Sequence, residues 1–413
     1  MINDLQINGT RLWDSIMEIA KIDALPNGGC GRLTLSDGDK RARDLFRRWC
    51  EDAGCTVVVD RLGNMFGRRE GRNPDLPPIA IGSHLDTQPH GGKFDGVYGV
   101  LAGLEVIRTL NDLGLETDAP IEVVNWTNEE GARFSPAMLC SGVYAGLFSL
   151  EFALNQKDAD GALLKDELDR IDYAGPIPCG EHKLGAFLEA HIEQGPILEA
   201  NDEVIGVVTG GQGQRWYDIT VTGQDAHSGS TPMPGRRDAL VSAASLIAKV
   251  QEIALAHGPH GVGTVGEVSV LPNSRNTIPG EVRFTIDFRH PDDHILSAMD
   301  AAFRSAAEFE TNVQIDIDMV WHNPPVQFDA TCVSIVEQAA ASVGLPYRQM
   351  VSGAGHDACQ VARKIPTAMV FVPCRDGLSH NEAEWAEPEH LTAGCNVLLR
   401  AALELSAQTA LEN

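Results

Sequence analysis

The 413-residue chain has no C-x-x-C pair, and its nine cysteines (30, 50, 55, 140, 179, 332, 359, 374 and 395) are odd in number and scattered. A chain this long has no need of disulfide staples, so they are expected to be reduced thiols. No run of about 18 apolar residues stands out. The opening MINDLQINGT also lacks the basic segment followed by an apolar one that marks a secretory signal. The expectation is a cytoplasmic protein with no membrane partner. Positive charge is scarce too: 32 Lys plus Arg stand against 58 Asp plus Glu, a formal net charge of −26. Such a field repels a nucleic-acid backbone and removes nucleic acid from the expected partners. With no long acidic run, the acidity reads as a solubilising surface.

What is there is an ordinary globular composition, 43% hydrophobic and 22% charged, in a chain longer than one core usually supports, so two domains are expected. After a cap at Ser36, the segment 37–53 carries Ala42, Leu45, Phe46 and Trp49 at helical spacing. Short apolar strands at 79–81, 121–125 and 367–372 alternate with helices at 97–113, 331–343 and 390–408. That alternation predicts an α/β domain with a mostly parallel mixed sheet. From about residue 213 the pattern changes to alternating strands. Val282, Phe284, Ile286 and Phe288 point one way, and Arg283, Thr285, Asp287 and Arg289 the other. Strand 216–222, helix 236–256, strands 263–270 and 281–289, helix 292–309 and strand 312–319 give the order β-α-β-β-α-β, a ferredoxin-like unit. The expected domains are 1–212 with 327–413, and an inserted 213–326.

Five segments concentrate histidines and carboxylates beside glycines or at strand ends. In Gly82-Ser83-His84-Leu85-Asp86-Thr87, the imidazole can bind a metal while the carboxylate two residues on holds its other N–H. In Phe94-Asp95-Gly96-Val97, Asp95 opens a helix, which makes it either an N-cap or a ligand. Glu129-Glu130 closes a strand, and adjacent carboxylates can divide the work: one binds a metal, the other takes a proton from water. An exposed surface pair is the plainer alternative. His191 and Glu193, at i and i+2, would share one face of a strand. His380 follows strand 367–372 by a loop. Three histidines, one Asp and one Glu suit two Zn²⁺ or similar ions, with Asp95 bridging and a position open for water.

Together the stretches GSHLDT, GGKFDGVYGV, NEEGARF, HIEQGPILE, GQRWYDITVTGQDAHSG, PNSRNTIPGEVRFTIDFRHPD, GAGHDA and LSHNEAEW resemble the di-metal aminoacylase and carboxypeptidase superfamily. The narrower resemblance is to its N-carbamoyl-L-amino-acid hydrolase, β-ureidopropionase and allantoate amidohydrolase branch. It implies His84 and His191 on one ion, Glu130 and His380 on the other, and Asp95 shared. Glu129 would be the general base and Asp86 the partner holding His84. The inserted domain would recognise substrate: Asn276 and Arg289 would clamp a carboxylate, and His227 would stabilise the oxyanion in its own or a partner's site. Gln194 and the Gly355 backbone would contact the ureido group.

The implied cofactors are two divalent ions per chain, Zn²⁺ first, with Mn²⁺, Co²⁺ or Ni²⁺ as alternatives. The implied substrate is a small N-carbamoyl or ureido acid, and the implied assembly is a homodimer through the inserted domain. The implied reaction is hydrolysis of an N-carbamoyl-L-amino acid or N-carbamoyl-β-alanine. Allantoate amidohydrolase and N-acyl-L-amino acid amidase are the alternatives. The segment from Arg133 to Cys140 is apolar where a very polar ureide would want more donors, which favours carbamoyl amino acids. A metal-free binding module would leave the full ligand set and Glu129 unexplained. His182 and His356 are expected to be structural, and Trp216 and Tyr217 to be packing residues.

Overall fold

The computed structural model describes residues 5–412, and they divide into two compact units. One runs up to Gly210 and resumes at Gln327; the other is Gly211–Val326.

The first unit is built on a nine-stranded sheet. At its centre Ile121–Trp126, Ile79–His84, Ala186–Ile192 and Thr367–Val372 lie side by side and parallel. Every residue of these four strands is buried, as expected of parallel strands covered on both faces. Antiparallel strands flank them: Thr56–Val59 and Met65–Arg69 on one side, Ile205–Gly211 on the other. Helix Val97–Asp112 packs on the centre, and it is buried almost all round. The helix Asp37–Asp52 starts at Ser36, whose hydroxyl accepts from the Asp39 N–H. Two side chains are fully buried, Arg43 on this helix and Arg32 before it, and both donate to groups of the loops at the strand ends.

In the second unit, the antiparallel order is Val268–Leu271, Glu281–His290, Gly213–Thr222 and Gln314–Asn323, with Val262–Thr264 also on Glu281–His290. Helices Ala239–Ala256 and Asp293–Glu308 cover one face, enclosing a core of Tyr217, Ile219, Val221, Val282, Phe284, Ile286, Phe288, Leu246, Met299 and Phe303. The predicted strand 263–270 is two strands. Thr264 pairs with Asp287 and Val268 with Phe284, so four steps on one side face three on the other. The extra residue breaks the ladder as a bulge does. Trp216 is not a packing residue: it is 43% exposed. Its neighbour Tyr217 points inward, so Trp216 shares the open face and lies 6.3 Å from Trp321. The helix Ala239–Ala256 is long and apolar enough to cross a membrane by length and composition alone. It carries Lys249 and Glu252 and supplies Ala243, Leu246, Val250 and Ile253 to the core.

Candidate metal centre

The C-terminal ends of the parallel strands supply the site. His84 is the last residue of its strand, and His191 is the next to last of the neighbouring strand. Glu129 and Glu130 follow the strand that ends at Trp126. Asp95 lies before the helix Val97–Asp112 but does not cap it: the N-cap is Gly96, at φ 66. A Cβ there would fall 2.3 Å from the His84 ring, so only glycine lets this turn pass the imidazole.

Two groups of ligand atoms, each within 4.8 Å, form here: His84, Asp95 and His191, and Asp95, Glu130 and His380. Asp95 belongs to both. Its Oδ1 is 3.5 Å from His84 Nε2 and 3.1 Å from His191 Nε2, and its Oδ2 is 3.3 Å from His380 Nε2. His380 Nε2 is 3.4 Å from Glu130 Oε2. Glu129 stands outside both groups, with Oε2 3.5 Å from His84 Nε2, and is 6% exposed. A third cluster joins Glu189, His191 and His356, but Glu189 already accepts from Ser83 Oγ at 2.6 Å and from the Ala358 N–H at 2.9 Å. It braces the strand ends. His356 is buried, bonded to Ser352 Oγ and 4.4 Å from the His191 ring; His182 stacks on Phe66 and meets Glu122.

The electrostatics fit a pair of cations. Burial pushes the Glu129 carboxyl well above the usual range, with His84 opposing and the carboxylates of Asp357, Glu130 and Asp95 adding. Burial raises Glu130 to about 7. The hydrogen bond to Asp95 raises His380 to about 9. Asp95 itself is held well below its ordinary value: its burial is outweighed by hydrogen bonds from the three histidines. Imidazole and carboxylate donors that compete for protons at hydrogen-bond distance are the donor set a Zn²⁺-like ion takes, with the protons displaced.

Several positions differ from expectation. Asp86 does not hold His84 through its carboxylate. The ring Nδ1 lies 2.9 Å from the Asp86 backbone oxygen and 3.8 Å from Asp86 Oδ1. The chain turns directly after His84, which brings the carbonyl to the ring and leaves the carboxylate to the Glu129 and Glu130 N–H groups, each at 3.4 Å. Glu193 lies beyond the strand, not on a shared face with His191. It caps a short helix, accepting from the Ile197 and Leu198 N–H groups. Gln194 Nε2 donates to Asp95 Oδ2 at 2.8 Å and meets Ser379 Oγ at 3.1 Å. A Cβ on Gly355 would meet Met138 Cε at 2.7 Å.

Within the second unit, His227 and Thr277 are paired residues of a two-stranded ribbon, and the Ser228 N–H donates to the Asn276 carbonyl. The Gly229 and Ser230 N–H groups both donate to His227 Nδ1, at 3.1 and 3.2 Å. That fixes the tautomer with the proton on Nε2. Arg289 lies on the open sheet face and pairs with Asp287 at 2.8 Å.

The sequence reading missed the groups that hold the ligand loops. Arg32 donates to the Leu85 carbonyl at 2.8 Å, between His84 and Asp86. Gln88 donates to both oxygens of Glu130. Arg43 donates to Thr127 Oγ1 and the Gly63 carbonyl. Glu384 accepts from the N–H groups of Phe94 and Asp95. Among these, only Glu384 lay inside a matched motif.

Residues 80–404 match the model of peptidase family M20/M25/M40. An N-carbamoyl-L-amino-acid amidohydrolase of Rhizobium meliloti is 51% identical over 402 residues, covering 97% of each chain. A ureidoglycolate hydrolase of Oryza sativa is 34% identical, covering 97% of this chain and 86% of its own. The crystal structure of an amidase of the hydantoinase/carbamoylase family from Burkholderia multivorans superposes with a TM-score of 0.94 at 57% identity, over 97% of this chain and 98% of that one. With this match spanning most of its length and the candidate ligand residues inside it, the chain belongs to peptidase family M20/M25/M40.

Proposed function

We propose that this chain is a metal-dependent amidohydrolase that hydrolyses the carbamoyl C–N bond of N-carbamoyl-L-amino acids or N-carbamoyl-β-alanine. The observation that carries the reading is a buried carboxylate, Glu129, beside two ligand groups that share Asp95. His84 and His191 would hold one divalent ion and Glu130 and His380 the other, Zn²⁺ first. When bound, the ions supply Lewis acidity and make water a stronger acid. Glu129, burdened by burial and three neighbouring carboxylates, is suited to take a proton from water and return it to the leaving nitrogen. Water adds to the carbamoyl carbon, the bond to the amino-acid nitrogen breaks, and the products are the amino acid and carbamic acid, which gives ammonia and CO₂.

Recognition is assigned to the second unit, read as a ferredoxin-like inserted lid covering 213–326. Asn276 and Arg289 would hold the substrate carboxylate. His227 would donate from Nε2 to the oxygen that becomes negative, a role its fixed tautomer supports. Gln194 and the Gly355 backbone would meet the ureido group, and Asp86 would act as a positioning residue. A homodimer through the second unit is supported by the exposed Met319 and Val320 on strand Gln314–Asn323 and by exposed Val241 and Leu255 on helix Ala239–Ala256.

Allantoate or a related ureide is the second reading, favoured by the ureidoglycolate hydrolase relative. Against it, Arg133, the one charged donor between Gly131 and Cys140, is committed to Asp158 and Glu167. The test is release of ammonia and free amino acid from metal-stripped protein with and without Zn²⁺, Mn²⁺, Co²⁺ or Ni²⁺. The panel contains N-carbamoyl-L-amino acids, N-carbamoyl-β-alanine, allantoate and N-acetyl amino acids. Metal-dependent turnover of a carbamoyl substrate is expected. Turnover of allantoate alone transfers the assignment to the second reading, and amino acid without ammonia transfers it to acyl hydrolysis.

A further inference from the structure

Glu384 is 3% exposed and sits in the loop that follows His380, yet it belongs to neither ligand group. Its Oε1 accepts from the Phe94 N–H at 2.9 Å and the Asp95 N–H at 3.2 Å. Its Oε2 lies 2.9 Å from Ser379 Oγ, which lies 3.0 Å from Asp95 Oδ2. One carboxylate therefore ties the backbone of the shared ligand to the loop carrying His380. The approach is tight, because a Cβ on Gly92 would fall within 1.9 Å of Glu384 Oε1. The residues next in sequence repeat the clamp with rings: Phe94 and Trp385 lie 5.9 Å apart, and Trp13 of the helix Gly9–Ile19 packs on both, at 5.9 and 5.4 Å. His380 has φ 53 and is half exposed, so its own packing does little to fix it.

We propose that Glu384 is a positioning residue for the ion that Asp95, Glu130 and His380 would hold, keeping Asp95 Oδ2 and His380 Nε2 3.3 Å apart so that both can serve it. The proposal rests on the two-ion reading above. Loss of such a partner typically weakens metal affinity by about 10–100-fold. The ligand set itself is untouched by the change.

The Ser379 hydroxyl has one proton and two carboxylate neighbours, which makes the conservative variant informative. In Glu384→Gln the amide oxygen can accept from Phe94 and Asp95 while the NH₂ donates to Ser379 Oγ, freeing that hydroxyl to donate to Asp95.

The experiment is metal stoichiometry and affinity by titrating Zn²⁺ into chelator-stripped full-length protein, with the melting temperature of each ion-free variant measured alongside. Wild type is expected to bind two ions. Glu384→Ala should keep one near wild-type affinity and bind the other about 10–100-fold more weakly. Glu384→Gln should recover to within about threefold, and Ser379→Ala should weaken the same ion but add nothing once Glu384 is Ala. Two ions bound by Glu384→Ala as tightly as by wild type would overturn the proposal alone. So would equal losses in the Ala and Gln variants, or additive losses for Ser379→Ala. No ion bound by wild type overturns the two-ion reading together with it. If Glu384→Ala fails to fold, Ser379→Ala and Glu384→Gln decide the matter.

Discussion

Arg43 offers the sharpest test of how the fold holds the catalytic strand end. Its side chain and that of Asp39 are both fully buried, 2.8 Å apart. The guanidinium also donates to the Gly63 carbonyl at 2.7 Å and to Thr127 Oγ1 at 3.1 Å. Asp39 accepts the Leu35 N–H at 2.7 Å as well. Replacing Arg43 by Met keeps the aliphatic stem but leaves a buried carboxylate without its cation. Breaking such a pair from one side costs about 3–5 kcal/mol. For a unit of this size that is a fall of about 5–8 °C in melting temperature. Asp39→Asn should cost a similar amount by stranding the guanidinium. The double variant should recover at least about 2 kcal/mol of the summed losses, because neither charge is then left alone. Tryptophan fluorescence is the assay, in a background where Trp216 and Trp321 are Phe so that only the first unit reports. Thr127 precedes the Asn128-Glu129-Glu130 turn, so Arg43→Met should also lower kcat more than it raises KM. A cost below about 1 kcal/mol, or strict additivity of the two variants, would refute the reasoning.

Glu129→Gln should lower kcat by about 10²–10⁴-fold while leaving two-ion binding within about threefold, since Glu129 is in neither ligand group; stoichiometry and steady-state rates check both halves. Adding Zn²⁺ at 100 times its dissociation constant to stripped protein should stabilise the first unit by about 2.7 kcal/mol per site, seen as a rise in the Trp126 transition that the Trp216 and Trp321 signals do not share. Arg289→Lys should raise KM for carbamoyl acids by about 10-fold or more, because an ammonium cannot make the bidentate pair; unchanged KM would remove Arg289 from recognition.

How much of the centre the sequence reveals depends on where each group lies in its element. His84, Glu129, Glu130 and His191 are legible because they sit at or just beyond the ends of uniformly apolar strands, where an α/β sheet presents its ligands. Asp95 and His380 are legible beside glycine or a loop. The supporting groups are not, because their roles come from packing between distant segments: Arg32 reaches across 53 residues to Leu85, and Glu384 across 290 to Phe94. Asp86 shows the limit of local spacing. The motif brings an oxygen to His84 as expected, but it is the main-chain oxygen, because the turn after the strand decides which one arrives. Trp216 is legible in the strand alternation: the pattern that sends Tyr217, Ile219 and Val221 inward sends Trp216 out. The bulge between Thr264 and Val268 has Gly266 as its one local signal, and where the ladder breaks is decided by the pairing.

The burial that makes the centre costly also explains its chemistry. Asp86, Asp95, Glu129, Glu189, Asp357 and Glu384 are all buried, and burial raises the carboxyls of Glu129, Glu130, Glu189, Asp357 and Glu384. The buried arginines Arg32 and Arg43 do not balance this group: Arg43 is matched to Asp39, and Arg32 spends its donors on carbonyls and the Cys30 sulfur. Without cations the cluster must hold protons, as the raised carboxyls and the raised His84 and His191 indicate. Two dications would replace those protons with four positive charges at the atoms where the carboxylates converge. Of the carboxylates near His84, Asp86 and Glu129 lie outside both ligand groups; Asp86 is engaged by the Glu129 and Glu130 N–H groups, so Glu129 is the one that the proposed reading would leave able to exchange a proton with water. On the proposed reading the arrangement would separate two tasks that adjacent carboxylates in one turn could otherwise share, and the turn that carries them is flanked by positive-φ residues, Asn128 at φ 60 and Gly131 at φ 65.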